Sequence, residues 1–286
     1  MDPRAERALP LAPDATVPRV ARVVRRTREL PDTWTLDLVA QDSQKLMDYA
    51  PGQFTMMYVF GVGEIPVSIS GDASDATRLV QTVRAVGKVS EAVTRLATGD
   101  TLGLRGPYGT AWPVADGHGR DVVVVAGGLG LAPLRPALYA LRAERKRFGK
   151  LVLLYGTRRP DDILFRRQLA SWRRQLDMEI EVTVDHAGSN WRGHVGVVTK
   201  LIPHLGIDAD NAMALVCGPE VMMRFAASAL HDIGMPEETI HLSLERNMQC
   251  AVGLCGHCQF AGSFICKDGA VMRYDKVRRL LGLREI

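Results

Sequence analysis

Between Val20 and Leu104 the apolar positions come in short runs separated by turn residues. Val20–Thr27 alternates loosely. Thr33–Val39 alternates well, with Trp34, Leu36 and Leu38 on one face and Thr35 and Asp37 on the other, the period of a strand with one face in a core and one in solvent. Phe54–Phe60, Leu79–Val86 and Thr101–Leu104 are further β-prone runs, punctuated by Pro51-Gly52, Gly87 and Gly99-Asp100. Many short strands at this spacing predict a small antiparallel barrel. One helix is predicted among them, over Ser90–Thr98, with Ser90 as N-cap and Glu91 in the first turn.

The pattern changes at Asp116–Gly119, which reads as a linker. Val122–Ala126 is wholly apolar and β-branched, as in a parallel strand buried on both faces. Similar runs follow at Leu151–Tyr155, Ile180–Val184, Ala212–Cys217 and Ile240–Leu244. Helical stretches lie between them, at Leu134–Arg147, Asp161–Gln175, Thr199–Leu205 and Pro219–Ile233. This alternation predicts a doubly wound parallel sheet. The fold class is therefore an antiparallel β-barrel, then an α/β nucleotide domain, then a small cysteine-bearing domain. The expected boundaries are a tail over 1–17, the barrel over 18–116, the α/β domain over 117–245, and a last domain with a C-terminal helix over 246–286.

Composition narrows the class without naming a chemistry. With 286 residues, 47% hydrophobic and 24% charged, the chain has the make-up of a soluble protein of two domains and a small third. A net charge of +4 without a basic stripe interleaved with aromatics argues against a nucleic-acid partner. The basic clusters Arg142–Arg147 and Arg166–Arg174 have helical spacing and read as solvated faces. No run approaches the ~18 apolar residues of a membrane span, and Met1–Pro18 has no apolar core of a secretory signal. Four of the five cysteines belong to one motif, so a reducing, cytoplasmic setting is expected.

That motif is Cys250, Cys255, Cys258 and Cys266, spaced C-x4-C-x2-C-x7-C. Its first three thiols follow the plant-type 2Fe-2S pattern, and Ala251, Gly253 and Gly256 leave room for backbone N–H groups to approach sulfur. A structural zinc site is the competing reading, weakened by the single C-x2-C pair; disulfides do not suit the setting. A second candidate lies after the first parallel strand, where Gly127-Gly128-Leu129-Gly130-Leu131-Ala132-Pro133 leads into a helix, as phosphate-holding turns do. Gly156 with Arg158, and Cys217-Gly218-Pro219, end strands on the same carboxyl edge. Arg158 and Arg159 either pair with a ribose phosphate or sit in solvent, and Cys217 reads as a small buried packing residue. Gly87-Lys88-Val89-Ser90 opens a helix and offers a further phosphate seat.

In this order the motifs resemble the ferredoxin–NADP reductase superfamily over about Val17–Tyr274. The subgroup most like it carries a C-terminal 2Fe-2S domain: gamma (diaphorase) subunits of cytoplasmic NAD(P)-linked nickel–iron hydrogenases or sulfhydrogenases, the B subunit of anaerobic sulfite reductase, and the electron-transfer subunit of dihydroorotate dehydrogenase. By that resemblance Pro66, Val67 and Ser68 end the flavin motif Arg-x-(Tyr/Phe)-Ser, with Ile65 in place of the arginine and Val67 in place of the aromatic. The FAD pyrophosphate is then expected on Arg84 or at Val89-Ser90, and Thr82-Val83-Arg84 is the second flavin strand. Gly127, Gly128, Gly130, Ala132, Pro133, Cys217, Gly218 and Pro219 resemble the nicotinamide-nucleotide motifs, and Trp191-x-Gly193-x-x-Gly196-x-Val198-Thr199 is also similar. Leu244–Cys250 and Phe264–Gly269 look most like the hydrogenase gamma version, except that Ala251 stands where that version has glycine. The resemblance implies FAD, a 2Fe-2S cluster and NAD(P)H as substrate, with electrons passed to a hydrogenase small subunit or another iron–sulfur subunit. It implies no side-chain acid or base for hydride transfer. Sulfite reductase or dihydroorotate dehydrogenase chemistry, and a non-enzymatic carrier or assembly subunit, remain as alternatives. Arg158 tips the nucleotide toward NADPH.

Overall fold

The computed structural model describes residues 15–42, 45–175 and 177–283; residues 1–14 of the expected tail lie outside them. The alternating segments form β1 (Arg19–Leu30), β2 (Thr33–Ala40), β3 (Phe54–Val59), β4 (Gly63–Ser68), β5 (Leu79–Arg84) and β6 (Thr101–Tyr108). They pair in the order β4-β3-β6-β1-β2-β5, all antiparallel. A bridge between Ile69 and Gln81 closes β4 onto β5 and makes the sheet a barrel. Val23, Leu36, Leu38, Met57, Leu79, Val83, Leu102 and Leu104 fill it.

Two expectations are corrected here. The polar face of β2 is not in solvent: Thr35 and Asp37 are buried along with Leu36 and Leu38. Thr35 Oγ1 meets Thr82 Oγ1 at 3.0 Å, Thr82 meets Ser70 Oγ at 2.9 Å, and Asp37 pairs with Arg78 at 3.0 Å. Buried hydroxyls that satisfy one another avoid the cost of unpaired burial. The helix α1 (Lys88–Arg95) starts earlier than expected, with Gly87 as N-cap. Ser90 sits three positions inside, and its Oγ accepts from Val86 N and Gly87 N, each at 3.0 Å. That is the reaching-back half of a capping box, in which a side chain satisfies donors that the helix leaves open.

The second unit alternates β7 (Asp121–Gly127), α2 (Leu131–Ala143), β8 (Leu151–Thr157), α3 (Arg166–Gln175), β9 (Glu179–Val184), β10 (His194–Val195), β11 (Ala212–Cys217), α4 (Glu220–Asp232) and β12 (Ile240–Ser243). These strands are parallel, in the order β10-β9-β8-β7-β11-β12. Val122 and Val124 enter one core layer under α2 and α3; Val123 and Val125 enter the other under α4. The apolar runs lack alternation because both faces are covered. Helix α2 begins at Leu131 rather than Leu134, with Pro133 in its first turn, where no N–H is needed. The stretch expected as Asp161–Gln175 is divided: a 3-10 turn spans Pro160–Asp162, and Phe165 at φ 52° precedes α3. Val198–His204 is 3-10 rather than α-helical.

The last segment holds β13 (Gln259–Phe260), β14 (Ser263–Phe264), α5 (Ile265–Asp268), β15 (Val271–Arg273) and α6 (Tyr274–Val277). β15 pairs antiparallel with β12 and adds an edge strand to the parallel sheet. The expected C-terminal helix is the single turn α6. Cys258, Phe260, Ile265 and Cys266 share one core with Phe54 and Tyr108 of the barrel, with Val125 and Val216 of the sheet and with Met223 of α4. The cysteine segment is thus wedged against both units.

Candidate cluster and nucleotide sites

The cysteine loop is built around backbone donors. Cys250 Sγ accepts from the N–H groups of Val252, Leu254 and Cys255, each at 3.4 Å. Gly253 N donates to Cys266 Sγ at 3.2 Å, and Cys266 N to Cys258 Sγ at 3.4 Å. Three residues adopt left-handed backbone to make this wrap: Ala251 at φ 61°, Gly253 at 75° and Gly256 at 75°. Burial pushes the Cys250 thiol up, but the N–H groups of Val252, Cys255 and Leu254 outweigh it and bring it down to about 6. Burial and contact with Cys258 push the Cys266 thiol up to about 12. The thiols interact as 250 with 255 and 258 with 266, and the charge of Cys250 adds to the rise at Cys266. Two interacting pairs ringed by N–H donors suit a two-iron cluster, whose negative sulfur atoms such donors stabilise. Among the described residues, no group of three or more His, Cys, Asp or Glu closes on one point as a single ion needs.

Arg105, on β6, ties this loop to the barrel. Its guanidinium donates to Gln249 O and Cys250 O, both at 3.0 Å, and holds both Glu64 oxygens, at 2.7 and 3.0 Å. Glu64 lies on β4, beside the expected flavin residues. Along β4 only Val67 enters the barrel core; Glu64, Ile65, Pro66 and Ser68 are half-buried and leave a strip open to a ligand. Thr82 is buried with its hydroxyl used by Thr35 and Ser70, and Val83 packs inside the barrel. Arg84 is half-buried, 3.4 Å from Thr33 Oγ1 and 3.6 Å from Asp32. Val89 packs on the β3–β4 hairpin, where a Cβ at Gly63 would lie 3.1 Å from its Cγ2. Ser90's hydroxyl serves its own helix, which leaves backbone N–H groups alone for the phosphate expected there.

At the nucleotide edge, most glycines face protein. A Cβ at Gly130 would stand 2.3 Å from Cys217 O, one at Gly218 3.0 Å from Gly127 Cα, and one at Gly156 2.9 Å from Val198 Cβ. Gly130 and Gly218 let the turns after β7 and β11 pack backbone on backbone, and Gly156 makes room for Val198. Gly128 differs: its φ is 53° and nothing lies within 4 Å of its Cβ position. It is an open point on this turn, which leads directly into α2. Ala132 and Pro133 are buried, and Pro133 O accepts from Trp112 Nε1 at 3.0 Å, which seats α2 on the barrel side. Pro219 caps α4 and Arg158 is exposed beyond β8. Cys217 is buried, and burial with the Glu245 carboxylate nearby pushes its thiol up. Sequence reasoning missed Tyr155, which donates to Gly128 O at 3.0 Å and accepts from Leu164 N at 3.1 Å. Burial raises this hydroxyl, and the Leu164 N–H and then the charge of Arg84 oppose the rise. Sequence reasoning also missed Arg105 and Glu64.

Residues 124–228 match the oxidoreductase NAD-binding domain, and residues 245–278 match the iron-sulfur cluster binding domain of dihydroorotate dehydrogenase B. The sulfhydrogenase 2 subunit gamma of Pyrococcus furiosus is 33% identical over 91% of this chain and 94% of its own length. A probable dihydroorotate dehydrogenase B (NAD(+)) electron transfer subunit of Methanocella arvoryzae is 31% identical over 87% of this chain and 88% of its own. Among solved structures, the NADH-dependent reduced ferredoxin-NADP oxidoreductase aligns with a TM-score of 0.72 at 24% identity, over 92% of this chain and 94% of that one. That likeness is one of fold.

Proposed function

The chain belongs to the ferredoxin–NADP reductase-like family that includes sulfhydrogenase gamma and dihydroorotate dehydrogenase B electron transfer subunits, and we propose on that footing that it passes electrons between NAD(P)H and a partner redox subunit. FAD, when bound, takes a hydride's two electrons and releases them singly, and the 2Fe-2S cluster relays one at a time. Cys250, Cys255, Cys258 and Cys266 hold the cluster. The β4 strip through Ser68, with Arg84 and the N–H groups at Val89, holds the flavin. Gly128 and the start of α2 seat the nicotinamide nucleotide's phosphates, while Gly127, Gly130 and Gly218 keep the two turns packed beneath it. The boundaries 18–116, 117–245 and 246–286 divide these three tasks.

One observation carries the reading: the cysteine segment shares a single core with the flavin barrel and the nucleotide sheet. Such packing fixes the cysteine loop against the barrel and the sheet, and would hold the bound groups in a fixed relation. The partner is a hydrogenase small subunit or an iron–sulfur subunit in a cytoplasmic complex. Among the described residues, no helix is long and apolar enough to cross a membrane. The dihydroorotate dehydrogenase role is the second reading, favoured by the match at residues 245–278.

An anaerobic titration of the chain with NADH and then NADPH tests the proposal. Bleaching of flavin bands with partial loss of iron–sulfur absorbance is expected, and the nucleotide giving it at the lower concentration is the preferred one. Protein purified without oxygen that carries neither chromophore would sink it.

A further inference from the structure

We propose that Arg105 is the positioning residue that locks the first cysteine of the cluster loop to the flavin strand and keeps the cluster easier to reduce. The proposal rests on the cluster reading of the four cysteines and not on the nicotinamide chemistry.

Arg105 is a buried charge whose contacts are shared between two elements. One edge of the guanidinium takes both oxygens of Glu64 on β4; the rest reaches Cys250 O, Gln249 O and the Tyr108 hydroxyl, the last at 3.3 Å. An arginine fork can satisfy a carboxylate and two carbonyls at once; an ammonium or an amide cannot. A barrel strand gains little from such a group for stability alone, because burying an ion pair offsets most of its own attraction. The arrangement has a direction, with the positive end at the cysteine loop and the negative end at β4. A cluster ligated by four thiolates gains one negative charge when a mediator dye or the flavin gives it an electron. A fixed positive charge beside Cys250 favours that reduced form, more strongly where water is excluded.

The test uses the full chain with its cluster, comparing wild type with Arg105→Gln, Arg105→Lys and Glu64→Gln. The readouts are a dye-mediated potentiometric titration followed by electron paramagnetic resonance, the iron content per chain, and the rate of iron release to a chelator. Arg105→Gln should lower the equilibrium constant for cluster reduction about tenfold, equivalent to about 59 mV more negative for one electron. Arg105→Lys keeps the charge and should stay near the wild-type potential, but release iron several-fold faster because the two-carbonyl bridge is lost. Glu64→Gln should move the potential the opposite way. An Arg105→Gln chain with full iron and an unshifted potential overturns the proposal. If that variant does not fold, an unshifted Glu64→Gln potential overturns it equally. A wild-type chain that binds no iron would instead sink the functional reading itself.

Discussion

The turn after β7 and the cysteine loop both depend on glycine, for different reasons. Gly130 in that turn and Gly218 in the turn after β11 occupy ordinary backbone conformations, and neighbouring backbone fills the space a side chain needs. In the loop, Gly256 has open space around its Cβ position, and what a substitution meets is the left-handed φ of 75°. The first kind of glycine is enforced by contact between two distant segments. The second is enforced by the chirality of the residue itself. Contact between rigid backbones cannot relax without moving a strand, whereas a left-handed residue costs a bounded local strain.

Gly130→Ala is the strongest test of that contrast. Its Cβ would sit 2.3 Å from Cys217 O, so the β7 and β11 turns must separate. We expect a loss of about 3 kcal/mol or more, beyond ordinary overpacking, together with at least tenfold weaker NAD(P)H binding. Thermal unfolding and nucleotide titration read both, and unchanged values would erase the distinction. Gly256→Ala should cost about 1–2 kcal/mol confined to the loop, seen as faster iron release with the unfolding midpoint nearly constant. A global destabilisation matching that of Gly130→Ala would contradict the comparison. Ala251→Gly should act in the opposite direction. Ala251 is buried at φ 61°, and relieving it gains up to about 1 kcal/mol locally, measurable as slower iron loss. Smallest is a pH effect in the sheet. Burial of His241 on β12 pulls its imidazole below the ordinary 6.5, with Arg273 adding to this and Asp116 opposing it. The unfolded chain therefore binds the proton more readily, and stability falls as pH drops through about 6.5. His241→Gln should flatten that acid limb of the unfolding midpoint; an unaltered pH profile would remove His241 as its source.

How much could be read in advance follows the same division between local and distant causes. Cys250 through Cys266 announce their chemistry because ligand spacing is a property of one short segment. The parallel strands declare themselves through unbroken apolar runs. The polar face of β2 did not, because Thr35 is satisfied by Thr82, 47 positions away. Ser90 reads as a cap because serine favours the N-cap; the hydrogen bonds to Val86 and Gly87 place it three residues inside instead. The glycines at 127, 128, 130 and 218 read alike by position, and only the structure separates them: protein crowds the Cβ positions of 127, 130 and 218, while that of Gly128 is open. Arg105 carried no signal at all. An arginine before Gly-Pro looks like any strand end, and its partners lie 41 residues upstream and 145 downstream.

The antiparallel pairing of β12 with β15 has a consequence for how such chains arise. The backbone leaves the sheet at Ser243 and returns beside it at Val271, and Leu244 N donates to Ala270 O at 2.9 Å across the neck. Elsewhere a tight turn of two to five residues joins strands so placed. The metal-binding segment is in effect a long excursion grafted into a hairpin. Exchanging it for a short turn would keep the sheet's edge strand in register but bare Phe54 and Tyr108 and strip Arg105 of its two carbonyl partners, so gaining or losing such a module leaves the strand order alone and demands that the end of the barrel be repacked.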